Sequence, residues 1–251
     1  MTSSNTDHAM RITLVLLVRN ELPCLEVIFP QLPKASAASG FDDIVAFDGE
    51  STDGSVEYLQ NAGIRVFPQS RRGRGDAFQR AIAEIDSDAY VFFSPDGNED
   101  VADLSRFRPL LEGGYDIVIA SRMMEGAVNE EDHQVFRWRK WANNAFNLGA
   151  NLAFRREGPY ITDSINGYRA ITREAGRLLE LDAVDFAIEF QMTMRAMATG
   201  LRIYEFPTIE GQRIAGEIKA RSIPTGLRFI QCYAREVYLL FSGHWRSKRR
   251  A

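Results

Sequence analysis

Short apolar runs separated by helix-like stretches are the feature that most restricts the folds open to this chain. Ile12–Val18, Ile44–Phe47, Arg65–Phe67, Tyr90–Phe93 and Ile117–Ala120 read as strands. The stretches that follow Leu22, Ser55, Gly75 and Val101 read as helices. Strand and helix taking turns in this way predict an α/β fold, with a mostly parallel central sheet flanked by helices. Asp53-Gly54-Ser55 supplies a turn and an N-cap for the second of those helices.

The second half is organised differently. Gln134–Phe154, rich in Arg, Trp, Asn and Ala, is expected to be one long helix. A short strand near Tyr168–Ile171 and a helix near Glu174–Glu180 follow. A further helix, Ile188–Thr199, ends at Gly200, where a left-handed residue is expected. Strand Leu201–Phe206 is stopped by Pro207, and residues 211–224 read as a mobile polar loop with Pro224 and Gly226 as breakers. Gly226–Phe241 then has Leu227, Ile230, Tyr233, Val237 and Leu240 at helical spacing. The division expected is a flexible N-terminus over 1–10, one domain over 11–225, and an amphipathic helix with a basic tail over 226–251.

The 251 residues suffice for a full core, and 45% hydrophobic with 25% charged is an ordinary globular composition. A bilayer-crossing helix needs roughly 20 predominantly apolar residues, and none is written here. The first residues, MTSSNTDH, lack the basic and apolar regions of a secretory signal, so a cytoplasmic protein is expected. Cys24 and Cys232 form no metal-binding spacing, in keeping with a reduced compartment. A net charge of -4 argues against nucleic acid as a partner. The local exception is the tail, where Arg246, Lys248, Arg249 and Arg250 cluster.

In open α/β sheets, ligands bind beyond the carboxyl ends of the strands. Asn20 and Glu21 follow the first strand, Asp48 the second, Ser94–Asp100 the fourth, and Ser121 and Arg122 the fifth. Asp96, Asn98 and Asp100 alternate in one loop, so their oxygens can converge on Mg²⁺ or Mn²⁺, with substrate phosphates completing the shell. A turn capping the helix near Val101 accounts for the same spacing. Arg71, Arg72 and Arg74 flank Gly73 and Gly75 before a helix, a basic turn able to approach an anion. Arg122, Arg137, Arg139 and Arg213 are further candidates for phosphate contact. The glycine spacing is not that of a dinucleotide site.

Taken in order, VRNE, FDGESTDGS, RRGRGDAF, FFSPDGNED, ASR, DSINGYR and IEF…GLRIYEFP…R resemble an inverting family-two glycosyltransferase with a GT-A fold, and within it the dolichyl- or polyprenyl-phosphate mannose synthase branch. The likeness runs from about Arg11 to Arg221. It implies that Asn20 and Glu21 lie beside the nucleotide, that Asp48, Ser51, Asp53 and Gly54 hold base and ribose, and that Arg74 and Asp96 also contact the donor. It implies a metal on Asp96 and Asn98 with Asp100 near it, and a diphosphate or acceptor-phosphate role for Arg122. Asp163 and Glu189 match carboxylates near the sugar, and Arg213 an arginine in a loop that closes over the donor. Gly49 stands where the family has a second aspartate and Glu50 where it has glycine, which leaves the base open between GDP- and UDP-linked donors. Asn98 replaces an aspartate, so weaker metal binding is expected. Gly216-Glu217-Ile218-Lys219 fits the branch's next stretch in part.

The chemistry implied is transfer of a sugar from a nucleotide donor with inversion. A lipid-phosphate acceptor is already anionic and needs no base; a hydroxyl acceptor needs a carboxylate, for which Asp163 and Glu189 are the candidates. The final helix reads first as a core-packing element and the tail as a solvated end; contact of both with anionic headgroups is the other reading. The alternatives are transfer to a soluble hydroxyl acceptor and a non-catalytic nucleotide-sugar-binding protein of the same fold.

Overall fold

The computed structural model describes residues 9–130, 132, 138–215 and 222–245. Residues 1–8, Gln134–Arg137 of the expected long helix and the Gly216–Lys219 stretch lie outside them. The strands are β1 (Ile12–Val18), β2 (Asp43–Asp48), β3 (Arg65–Pro68), β4 (Ala89–Phe93), β5 (Ile117–Ser121), β6 (Arg169–Thr172) and β7 (Ile203–Pro207). The α-helices are α1 (Leu22–Ile28), α2 (Leu32–Ala38), α3 (Ser55–Asn61), α4 (Arg74–Glu84), α5 (Leu104–Glu112), α6 (Trp138–Phe154), α7 (Arg173–Leu179), α8 (Ile188–Thr199) and α9 (Ser222–Phe241).

One sheet holds the strands in the order β3-β2-β1-β4-β6-β5-β7. Every neighbouring pair is parallel except those of β6, which runs antiparallel to β4 and β5. This strand joins the two halves of the sheet. Because it runs backwards, its start at Arg169 lies on the same rim as the ends of β4 and β5. Segment 163–168 is thereby delivered to the rim that carries the acidic loops.

All of β1, β4 and β5 is buried, since both faces of the sheet are covered. Alternate residues divide between two cores. Val15, Leu17, Phe47, Tyr90, Phe92 and Ile119 pack under the side of α4, α6, α7, α8 and α9. Leu14, Leu16, Val18, Val91, Phe93 and Ala120 pack under the side of α1, α2 and α5. Tyr168 joins this second layer, edge-on to Phe93.

Several boundaries differ from expectation. The 211–224 segment is not one loop, because α9 begins at Ser222 and takes in Pro224 and Gly226. A proline in a first helical turn removes an N–H that has no helical partner there. Nor does α9 stand apart from residues 11–225. Its Phe229 and Leu240, with Trp245 beyond it, belong to the main core. Pro207 ends β7 from inside it, at a sheet edge where a missing N–H is tolerated. The N-cap of α3 is Gly54 (φ 94°), while Asp53 accepts from the Ser55 N–H just inside the helix. Gly200 (φ 77°) ends α8 in the left-handed conformation, as expected. Among the described residues no helix is long and apolar enough to cross a membrane, and both cysteines are free.

Candidate active site

At the rim, the loops after β1 and β2 are tied to one another by polar side chains. Asn20 (φ 48°) donates its N–H to Ser51 Oγ (2.8 Å) and accepts from the Thr52 N–H (2.7 Å). Asp53 accepts from the Leu22 N–H (2.9 Å) and the Ser55 hydroxyl (2.6 Å). Burial pushes the Asp53 carboxyl up, but the hydrogen bonds from Ser55 and Leu22 outweigh it and hold it below the usual range. Both Asp48 oxygens accept from the Ser51 N–H. Asn20, Asp48, Ser51 and Asp53 therefore shape the loops and do not line the central cavity. Glu21, beside them, does line it.

The glycine turn before α4 serves a purpose the sequence did not announce. A Cβ on Gly73 (φ 131°) would meet the Val184 carbonyl oxygen at 2.2 Å, and one on Gly75 would meet the Ala183 oxygen at 2.1 Å. These glycines admit the 183–184 backbone, and the Gly75 N–H is spent on Val184 (3.0 Å). Of the basic turn Arg72 and Arg74 line the cavity, Arg74 with its guanidinium within 6 Å of the Phe78 and Phe186 rings. Its Nε lies 2.8 Å from Glu189 Oε1, an ion pair without hydrogen-bond alignment. Neither oxygen of the buried Glu189 accepts a hydrogen bond, and burial raises its carboxyl above the usual range.

After β4 the chain turns at Gly97 (φ 95°). Asp96 and Asn98 line the cavity, whereas Asp100 caps the turn that leads into α5, accepting from the Ala102 N–H (2.9 Å). The convergence of three oxygens expected on Asp96, Asn98 and Asp100 is thus reduced to two. Glu99, not singled out in the sequence, faces the cavity instead and accepts from the Ser94 N–H (2.7 Å). Burial and then Asp96 raise its carboxyl well above the ordinary range. The signal available was its place in the loop between two candidates.

Residues 211–215 lie against this turn. Gly211 N–H donates to the Asn98 carbonyl (2.8 Å) and Ile214 N–H to that of Asp96 (3.0 Å). Arg213 reaches from there to two carboxylates, Asp96 Oδ2 (2.8 Å) and Glu21 Oε1 (2.6 Å). Burial raises the Asp96 carboxyl, and Arg213 opposes it.

Arg122 is held from behind. Asp163, fully buried, takes its Nε (2.8 Å) and Nη2 (3.1 Å), and Glu210 takes its Nη1 (3.1 Å). Glu205 accepts from the N–H groups of Thr162 (2.6 Å) and Asp163 (2.8 Å) and fixes that segment. The expectation that Asp163 is a base near the sugar meets this geometry: both its oxygens are engaged, and it does not line the cavity. Arg139 lines the cavity, paired with Glu130 at 2.8 Å, while Arg137 lies outside the described residues.

Together Glu21, Arg74, Asp96, Asn98, Glu99, Arg122, Glu189 and Arg213 surround a cavity of about 620 Å³. Among the described residues, no group of three or more His, Cys, Asp or Glu side chains is placed to hold a metal ion. The donors suit a hard cation all the same: Asp96 supplies a carboxylate oxygen, and Asn98 Oδ1 is buried without a hydrogen bond. A ligand's phosphate oxygens would have to complete that shell. The cavity sets carboxylates and guanidinium groups face to face, an arrangement suited to an anionic ligand.

Comparisons with known proteins identify the family. The pattern of glycosyl transferase family 2 matches residues 13–175. Glycosyltransferase AglJ of Haloferax volcanii is 32% identical over 67% of this chain and 54% of its own length. An undecaprenyl-phosphate mannosyltransferase of Micrococcus luteus is 26% identical over 84% of this chain and 87% of its own. For the dolichyl-phosphate hexose transferase of Haloferax volcanii the figures are 29%, 72% and 74%. The chain spans about half the length of AglJ and a third of AglD from the same organism. Glucosyl-3-phosphoglycerate synthase from Mycobacterium tuberculosis superposes with a TM-score of 0.67 over 91% of this chain and 80% of that one, at 21% identity. With the matched pattern spanning β1 to the first turn of α7, and the rim cavity built from its motifs, the chain belongs to glycosyl transferase family 2 and has the GT-A fold.

Proposed function

We propose that this chain transfers a hexose, with inversion, from a nucleoside-diphosphate donor to a polyprenyl-phosphate-type lipid. The observation that carries the reading is the cavity in which Arg213 and Asp96 face Arg122, with the Arg74–Glu189 pair beside them. Cleavage of a glycosyl phosphate builds negative charge on the leaving diphosphate, and prearranged cations lower that barrier. Arg213 comes from a loop hydrogen-bonded across the donor rim, and it exchanges carboxylate for phosphate contacts when the donor enters. Arg122, aimed by Asp163 and Glu210, holds the second phosphate, whether the donor's or the acceptor's. Arg139 is a further phosphate contact at the cavity wall. Asn20, Ser51, Asp48 and Asp53 set the loop against which base and ribose lie.

Asp96 and Asn98 would hold Mg²⁺ or Mn²⁺, and Asp100 orders their loop as a cap. When bound, a divalent ion neutralises the diphosphate. The Mycobacterium tuberculosis neighbour was crystallised with Mn²⁺ and UDP-glucose, which supports such an ion and a uridine donor, with GDP-linked donors the other choice. Relatives named for undecaprenyl-phosphate and dolichyl-phosphate transfer support the lipid acceptor.

A hydroxyl acceptor is the second reading, favoured by one observation. Glu189 lines the cavity with neither oxygen hydrogen-bonded, and burial raises its carboxyl above the usual range, which makes it a stronger proton acceptor. In either case Glu189 stands against the sugar.

The test is calorimetry with UDP and GDP in Mn²⁺ or Mg²⁺. Asp96→Ala is expected to abolish the ion-dependent part of binding, roughly a 100-fold loss, with melting preserved. Unchanged ion dependence removes the metal assignment.

A further inference from the structure

α6 and α9 pack side by side through Phe146 against Phe229 and through the Tyr233 hydroxyl, which donates to the Gly149 carbonyl (3.1 Å). Each presents a second apolar stripe to solvent. On α6 it comprises Trp141, Ala145, Leu148 and Leu152; on α9 it comprises Leu227, Ile230, Ala234, Tyr238 and Phe241, all exposed. Residues three and four apart share a helix face. Ala145 and Leu152 therefore neighbour Gly149, while Ile230 neighbours Tyr233. The opposite flank of α9 is occupied by Arg228 and Arg235, paired with Asp185 and Asp182. Both stripes thus border the line where the two helices meet and form one surface. Leu152 is 76% exposed, Tyr238 71% and Phe241 78%, unusual for large apolar side chains grouped together.

Charge identifies what this surface meets. Residues 138–156 contain Arg139, Lys140, Arg155 and Arg156 and no acid. Within 222–245 the bases are Arg228 and Arg235, and the one acid, Glu236, is fully buried. The sequence beyond adds Arg246, Lys248, Arg249 and Arg250, in a chain whose net charge is nevertheless -4. Arg139, Lys140, Arg228 and Arg235 are paired with Glu130, Asp132, Asp185 and Asp182, whereas Arg155 and Arg156 at the end of α6 are exposed. Exposed Trp, Tyr, Leu and Phe, with the exposed Arg155 and Arg156 at the end of α6 and a basic sequence following α9, match the apolar and anionic layers of a lipid surface. A partner protein's acidic patch would not call for so wide an apolar centre. The N-terminal parts of the same helices also wall the cavity, through Arg139, Asn143 and Phe146 on α6 and Thr225, Gly226 and Phe229 on α9.

We propose that the paired α6–α9 face docks on an anionic lipid bilayer, bringing the cavity mouth to the headgroups. The proposal rests on the lipid-acceptor reading for its purpose, while its geometry is independent of that reading. Docked so, the cavity mouth lies at the headgroups, and an acceptor phosphate enters beside Arg139 without leaving the bilayer.

Co-sedimentation with vesicles tests this. The full chain is expected to partition onto phosphatidylcholine vesicles holding about a third phosphatidylglycerol, and far less onto phosphatidylcholine alone. L152E/Y238E/F241E is expected to cut partitioning at least about tenfold, and Phe241→Glu alone about threefold, with melting and donor binding unchanged. Equal partitioning of wild type and variants overturns the proposal, as does a wild type that ignores anionic vesicles. A dimer in analytical ultracentrifugation that the triple variant dissociates, without vesicle binding by the wild type, assigns the face to a second copy and overturns it too. Vesicle binding lost in the variant but unaccompanied by sugar transfer to an embedded polyprenyl phosphate upholds the docking face and removes the acceptor reading alone.

Discussion

Two arginines, the partly buried Arg122 and the buried Arg195, are held in nearly the same way and serve different ends. Arg122 is gripped by Asp163 and Glu210. Arg195 is gripped by Glu236 through two bonds (3.0 and 2.6 Å), with Asp182 (2.8 Å) and the Leu179 carbonyl (3.0 Å) completing it. Gln191 donates to Glu236 as well (2.9 Å), and the Trp245 ring lies 4.7 Å from the Arg195 guanidinium. Every part of this second cluster lies between α8, α9 and the segments beside them, away from the cavity. It fixes α9, and so the docking face, to the domain. The Arg122 cluster leaves its guanidinium on the cavity wall, where an incoming phosphate can meet it. A buried ion pair by itself therefore marks neither a site nor an anchor; its distance from a cavity separates the two.

The sharpest way to break the comparison is Glu236→Ala. It leaves Arg195 buried against one half-exposed carboxylate, and a destabilisation of roughly 3–5 kcal/mol is expected. Chemical denaturation measures it; a loss under about 1 kcal/mol would show that α9 does not depend on this pair. Next comes Arg122→Lys, which keeps charge beside Asp163 but loses the planar fork. Turnover is expected to fall about 100-fold with a much smaller change in melting than Glu236→Ala produces. A large stability loss with near-normal turnover would make Arg122 an anchor like Arg195.

A smaller effect lies in pH. Burial raises the Glu205 carboxyl to about 7, against the hydrogen bonds from Thr162 and Asp163 that work to lower it. Its folded pKa exceeds the unfolded one, so its contribution to stability is full below about pH 4.5 and lost as pH rises through about 7. Glu205→Gln, which cannot ionise, should flatten the melting temperature between those limits. An identical slope in the two proteins would place the titration elsewhere. The smallest change expected is a two- to fivefold tightening of Mn²⁺ in Asn98→Asp, since a second carboxylate adds charge beside Asp96. Weaker binding would mean that residue 98 only forms the turn.

The donor rim was more legible than the second half of the chain. Strands β1, β2, β4 and β5 follow from apolar runs covered on both faces, and Glu21, Asp96 and Arg122 are each one to three residues beyond a strand. Chain geometry alone takes them to the rim. Asp100 and the 73–75 turn were misleading for a physical reason: the same residue types cap turns and admit close backbone contacts. Spacing does not distinguish an oxygen aimed at a ligand from one aimed at an N–H. The links from Arg213 to Asp96, Arg122 to Asp163 and Arg195 to Glu236 cross 117, 41 and 41 residues. Local pattern holds no information about such pairs.

By itself, then, the order of apolar runs and acidic loops determined an α/β sheet with one reactive rim and a family resemblance to match. That information is local, because backbone periodicity and the carboxyl ends of strands depend on neighbours in sequence. The antiparallel insertion of β6, the removal of Asp100 from the cavity, the bridge of Arg213 and the union of α6 with α9 were decided in three dimensions. Each depends on which buried charges and apolar faces find partners from distant segments, and only packing the whole chain resolves that competition.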